Sequence, residues 1–219
     1  MNEIPLFPLN TVLFPKAPLR LHIFEKRYKQ MIRMCIEKQA EFGVVLVRTM
    51  QEKQDPLDEI YLTGCSTRIV DVEYLTDGRM NILTVGQERF HILSVNNDKK
   101  PYLMGTTEHF PLQVNNPALT YLQAEKVRQQ MEDFISILVR AGEGDFDYEQ
   151  LPEDPIQLAY TAAAILQITP KQKQDLLKIE SASDFLSALS PIYRREKTLL
   201  KMMIEHNREY QVDEVFSRN

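Results

Sequence analysis

Four of the twelve prolines in this 219-residue chain fall within its first 18 residues. Pro5, Pro8, Pro15 and Pro18 interrupt a run otherwise rich in Leu, Phe and Val. Proline fixes φ and donates no backbone hydrogen bond, so this run is expected to form neither a helix nor a central strand. It reads as an extended apolar arm with edge-strand character, bent at fixed points. Such an arm has to be covered, because in solvent it would aggregate. Phe14 and Pro15 follow Val12 and Leu13 directly, and neighbouring side chains of an extended chain point to opposite sides. Part of the stretch Val12, Leu13, Phe14 and Pro15 is therefore expected at the surface, as an apolar patch suited to extended polypeptide. The competing reading has the arm wrapping the β-rich half and plugging its seam with the first helix.

The chain changes character near Pro111. Before it, strand patterns surround one helix. Leu19, Leu21 and Ile23 alternate with Arg20 and His22, the mark of a half-buried strand. The spacing of Tyr28, Met31, Ile32, Cys35 and Ile36 predicts a helix over Glu25–Lys38. The apolar run Phe42–Val47 predicts a central strand, and Asp77-Gly78 between two strand patterns predicts a hairpin. Strands are also expected at Glu88–Val95 and Tyr102–Phe110, flanking a turn at Asn96-Asn97-Asp98. After Pro111, the pairs Asn116-Pro117, Asp154-Pro155, Thr169-Pro170 and Ser190-Pro191 each set a capping residue before a proline. They predict helices at about 117–141, 155–167, 170–179 and 191–209, with a short one near 183–189. The stripe Leu119, Leu122, Val127, Met131, Phe134, Ile135 and Leu138 is expected to be core, as are Ile192, Leu199 and Met203.

Charge and motifs exclude several chemistries. Residues 1–110 hold 14 basic and 14 acidic side chains, and residues 111–219 hold 12 and 17. The acidity gathers at Glu143, Asp145, Asp147, Glu149, Glu153 and Asp154. A neutral half and an acidic half give little drive toward nucleic acid. No stretch approaches the roughly 18 apolar residues of a membrane span. No secretory leader is visible, so the expected location is cytoplasmic, with Cys35 and Cys65 reduced. No phosphate loop G-x-x-x-x-G-K-[ST] occurs, and none of the eight serines sits in G-x-S-x-G. His22, His91, His109 and His206 assemble no metal-ligand spacing, so no cofactor and no metal are expected.

Ordered segments carry a family resemblance. Residues 5–15 read P-L-F-P-L-x-x-V-L-F-P, and Ile23-Phe24-Glu25-Lys26-Arg27-Tyr28 follows. Phe42–Val47, Gly64–Ile69, Asp77–Leu83 and Gly86-Gln87-Glu88-Arg89-Phe90 continue the pattern. The chain resembles a stand-alone Lon N-terminal domain. The resemblance implies an α+β fold: a PUA-like β-rich pseudo-barrel over residues 1–113, then an all-α helical bundle over 114–219. It also implies a non-catalytic module for substrate recognition, without the ATPase loop or the Ser-Lys peptidase domain of full-length Lon. The implied partners are unfolded or tagged polypeptides and a separate protease, with no nucleic acid and no membrane.

The expected polypeptide-binding residues are Val12, Leu13, Phe14, Pro15, Phe24, Tyr28 and Tyr102. For Phe24 and Tyr28 the competing reading is a packing role, with Glu25 joined to Arg89 or Arg68. Two other functions stay open at this point: an RNA-binding PUA-like protein, and a small-molecule enzyme with a site between the halves involving Glu25, His91 or His109.

Overall fold

A computed structural model describes residues 2–48, 59–97, 100–140 and 151–216. The cluster Glu143, Asp145, Asp147 and Glu149, and Asp98 of the second turn, lie outside them. Six strands form one sheet: β1 (Asn2–Leu9), β2 (Pro18–Ile23), β3 (Phe42–Leu46), β4 (Thr63–Tyr74), β5 (Met80–Asn96) and β6 (Met104–His109). Helix α1 (Lys26–Lys38) lies between β2 and β3 in sequence; α2 (Pro117–Arg140), α3 (Pro155–Ile165), α4 (Pro170–Leu177) and α5 (Ala182–Phe216) follow β6. The fold is α+β, as expected.

The strand order is β2-β5-β4-β3-β1-β6, and β5 also pairs with β6, which closes five strands into a ring and leaves β2 outside it. Strand β1 runs parallel to β3, and every other pairing is antiparallel. The arm is thus no edge: β1 lies between β3 and β6. Its prolines are tolerated because the pairing is staggered. Asn2–Pro5 align with β6 and Leu6–Leu9 with β3, so each proline meets one strand rather than two.

The hairpin between β4 and β5 forms as expected, with Asp77 and Gly78 at φ 70° and 73°. Buried Tyr28, Met31, Ile32 and Cys35 of α1 join Phe7, Leu13, Ile23, Phe42, Val44 and Met80 in one apolar cluster. A second cluster holds Leu6, Val45, Ile60, Phe90 and Ile92. Phe90 fits because Gly43 and Gly64 lie beneath its ring; a Cβ built on either would stand 2.6 Å from Phe90 Cζ. Gly86 serves close approach: a Cβ there would lie 2.2 Å from the Phe14 carbonyl oxygen, a backbone atom. Two bonds pin the arm to this point, Lys16 N to Gly86 O at 2.8 Å and Gly86 N to Ala17 O at 3.0 Å.

The chain divides into two compact units, and the division differs from a single cut at 113/114. One unit joins residues 1–113 to 163–180; the other joins 114–162 to 181–219. The reason is Arg89. Its guanidinium is buried, and Nη1 donates to the carbonyls of Leu177 and Ile179 at 2.7 Å each. These are the otherwise open carbonyls at the end of α4, where a cation also meets the negative end of the helix dipole. Buried Gln174 donates to Thr63 O at 2.9 Å, and Gln113 N donates to Glu180 O. Arg89 therefore does not pair with Glu25, which instead meets Arg27 at 3.0 Å.

In the second unit, Phe134 of α2 meets Tyr193 of α5 edge-on at 5.7 Å, and Gln130 bonds Ser190. Asn116 and Asp154 accept from Leu119 N and Gln157 N, while Thr169 forms a full capping box in the first unit. Ser190-Pro191 breaks the pattern. α5 is one helix of 35 residues with Pro191 inside it. Buried Phe185, Leu186, Leu189 and Tyr193 flank the proline and hold the helix continuous, offsetting a cost of about 3 kcal/mol. Leu119 and Leu122 are exposed rather than core, and so are Leu199 and Met203, which lie past the Lys197–Asp133 pair.

Arg89→Leu is expected to cost about 2–4 kcal/mol, because it strands one buried and one part-buried carbonyl; urea unfolding followed by circular dichroism measures it. The thiols set an alkaline limit. Burial pushes Cys35 from 9.0 up to about 11 and Cys65 further up. A thiol whose folded pKa is raised contributes stability that is complete below its unfolded value and fades as pH climbs through the folded one. Stability is therefore expected to hold up to pH 9 and fall toward pH 11. At pH 8, iodoacetamide is expected to label neither thiol until denaturant is added.

Candidate functional site

Within the first unit, the ends of β1 and β2, the start of α1 and the segment before β6 enclose a groove of about 730 Å³. Its lining includes Phe7, Leu21, Phe24, Tyr28, Tyr102 and Leu103. Each is placed by a local rule. Leu21 and His22 are successive residues of β2 and so belong to opposite faces. Phe24 follows β2 at the point where Glu25, with extended φ/ψ, caps α1. Tyr28 is carried on the buried face of the first turn of α1. Tyr102 sits just before β6.

The floor is aromatic and packed. Phe7 and Tyr28 meet edge-on with centroids 4.1 Å apart, and Phe7 meets Phe42 at 6.1 Å. Tyr28 and Tyr102 keep 7% and 3% of their exposure. Burial raises both phenol pKa values, so both hydroxyls stay neutral. The rim is different. Phe24 is 61% exposed, and its ring stacks against His22 at 6.0 Å and 25°. His22 Nδ1 bonds Asn81 Oδ1 at 2.7 Å, and Asn81 Nδ2 donates to Glu73 at 2.8 Å, so a three-residue chain on the outer sheet face holds the imidazole. Arg27 lies over the Tyr28 ring at 4.6 Å and pairs with Glu25; at half exposure that pair adds under about 1 kcal/mol.

The groove thus brings together Phe24, Tyr28 and Tyr102 of the seven expected residues. It does not include the other four. Val12, Leu13, Phe14 and Pro15 are all buried, and the expected surface patch is absent from this stretch. The arm turns at Lys16, with φ 64°, and the bonds to Gly86 press Phe14 into the interior. Phe7, Leu21, Pro101 and Leu103 were not legible as site residues; only contact between distant segments marks them. A second concavity of about 940 Å³ shares Tyr102 and is lined by Ile4, Met34 and Met104 together with Lys16, Lys38, Glu41 and Glu88.

Among the described residues, no three His, Cys, Asp or Glu side chains assemble a metal site. His109 pairs with Glu88 at 3.0 Å in the open. No helix among the described residues is long and apolar enough to cross a membrane.

Residues 3–195 match the model of the ATP-dependent protease La (LON) substrate-binding domain. The chain belongs to that family. It is 22% identical over 202 residues to Lon protease 1 of Hydrogenovibrio crunogenus, covering 91% of this chain but 24% of that protein. The chain therefore spans about a quarter of that curated relative's length. Two solved structures share the fold. The N terminal domain of a Mycobacterium avium complex Lon protease aligns with a TM-score of 0.66 at 16% identity, covering 88% of this chain and 98% of that one. A Lon N-terminal domain protein from Xanthomonas campestris aligns with a TM-score of 0.58 at 24% identity, covering 86% and 97%.

Phe24→Ala is expected to change stability by less than about 0.5 kcal/mol, since it removes an exposed ring. Tyr28→Ala is expected to cost about 3–5 kcal/mol, since it opens the floor beside Phe7. Paired thermal melts separate the two roles.

Proposed function

We propose that this chain captures extended apolar polypeptide reversibly in the groove rimmed by Phe24, without cutting it and without nucleotide. One observation carries the reading: a large aromatic side chain stands mostly exposed beside an aromatic floor, in a member of a substrate-binding family. An exposed ring beside a concavity with an aromatic floor matches how proteins anchor partners. Val12, Leu13, Phe14 and Pro15 enter as buried support rather than as contacts. The partners are unfolded or tagged polypeptides, handed to a separate protease, in the cytoplasm, where the two buried thiols stay reduced. Family membership favours polypeptide over RNA.

Fluorescence anisotropy with a labelled apolar peptide tests this. The intact chain is expected to bind, and Phe24→Ala to bind about fivefold or more weakly with an unchanged melt. Equal binding by both proteins refutes the groove. Hydrolysis of casein by the pure protein refutes the non-catalytic reading.

A further inference from the structure

The sheet closes through β5 and β6, and β2 pairs with β5 alone, so one side of β2 has no strand partner among the described residues. The register shows which of its backbone groups face that side. Residues of β2 and β5 pair with numbers summing to 103, from Pro18 with Val85 to Ile23 with Met80. Ala17 and Gly86 continue that sum, and Gly86 N donates to Ala17 O at 3.0 Å. In an antiparallel ladder bonded and non-bonded pairs alternate. Leu19, Leu21 and Ile23 therefore bond β5, while Pro18, Arg20 and His22 direct their backbone groups away from it. Pro18 agrees with this, because it lacks the N–H that an inward position would need. Pro18, Arg20 and His22 are all exposed.

The groove reaches this edge. It is lined by both Leu21 and His22, neighbours that project to opposite faces. A concavity touching both wraps around the edge between them.

We propose that polypeptide is held by strand addition: an extended segment pairs its backbone with Arg20 and His22 and lays alternate side chains against Leu21 and Phe24. This rests on the reading of the groove as a polypeptide site and gives it a backbone component. The occupant is an unfolded segment because the open groups are an N–H and C=O row, which recognises any extended backbone. A second copy fits poorly. In the two-fold register centred on Arg20, Arg20 faces Arg20 of the other copy, and like charges placed opposite repel.

The experiment uses the full chain and a fluorescein-labelled decapeptide alternating valine or phenylalanine with threonine, beside its N-methylated counterpart. Arg20→Pro removes one outward N–H and spares the ladder to β5, and Arg20→Ala is its control. Expected are binding of the plain peptide and binding about tenfold weaker with N-methylation or with Arg20→Pro. Arg20→Ala keeps that N–H and is expected to bind at least about fivefold more tightly than Arg20→Pro. If Arg20→Pro fails to fold by circular dichroism, the N-methylated peptide decides alone. Binding indifferent to N-methylation overturns strand addition and leaves the groove standing. No binding by the wild-type chain overturns both. A concentration-dependent dimer abolished by Arg20→Pro gives the edge to a second copy and overturns the proposal.

Discussion

Strand β5 holds the first unit together. Its 17 residues serve three neighbours: β4 along most of its length, β2 over the first third and β6 over the last. One strand with three partners has to bend, and register shifts occur at Cys65/Thr67 and Ile69/Asp71 of β4 and at Ile92/Ser94 of β5. The segment Gly86–Phe90 concentrates the constraint. Gly86 admits the arm's backbone, Arg89 ends α4, and Phe90 fills the space over two glycines. These three side-chain choices face three different surroundings within five residues.

That concentration explains what the sequence revealed. Local rules located the helix ends well, because a cap is a contact between residues three apart: Asn116, Asp154 and Thr169 all accept as their spacing implies. The same rule misled at Ser190-Pro191, where packing around Tyr193 outweighs the local stop. The prolines of the arm misled in the other direction. Their missing donors do argue for one partner strand per proline, but a staggered strand meets that condition while lying between two neighbours. Arg89 was legible only as part of a pattern, since its partners lie 88 and 90 residues away.

The site divides along the same line. Phe24 and Tyr28 stand four residues apart and were both expected to bind, yet one is rim and the other floor. Helical phase accounts for Tyr28, which shares the buried face with Met31, Ile32 and Cys35. Phe24 sits between strand and helix, outside either period, so no periodic argument could assign it. The arm failed as a site for a related reason. Apolar content marks what wants burial, and a tie such as the Lys16–Gly86 bond decides whether burial is achieved.

The placement of residues 163–180 bears on biosynthesis. The ribosome releases all six strands well before the stretch that supplies the carbonyls for Arg89. A nascent sheet therefore carries a guanidinium awaiting its acceptors while some fifty intervening residues emerge, α2 among them. Domains fold as units once their sequence is out, so the earlier-made body is completed by a later-made piece, and its maturation is timed by translation of the part that interrupts it.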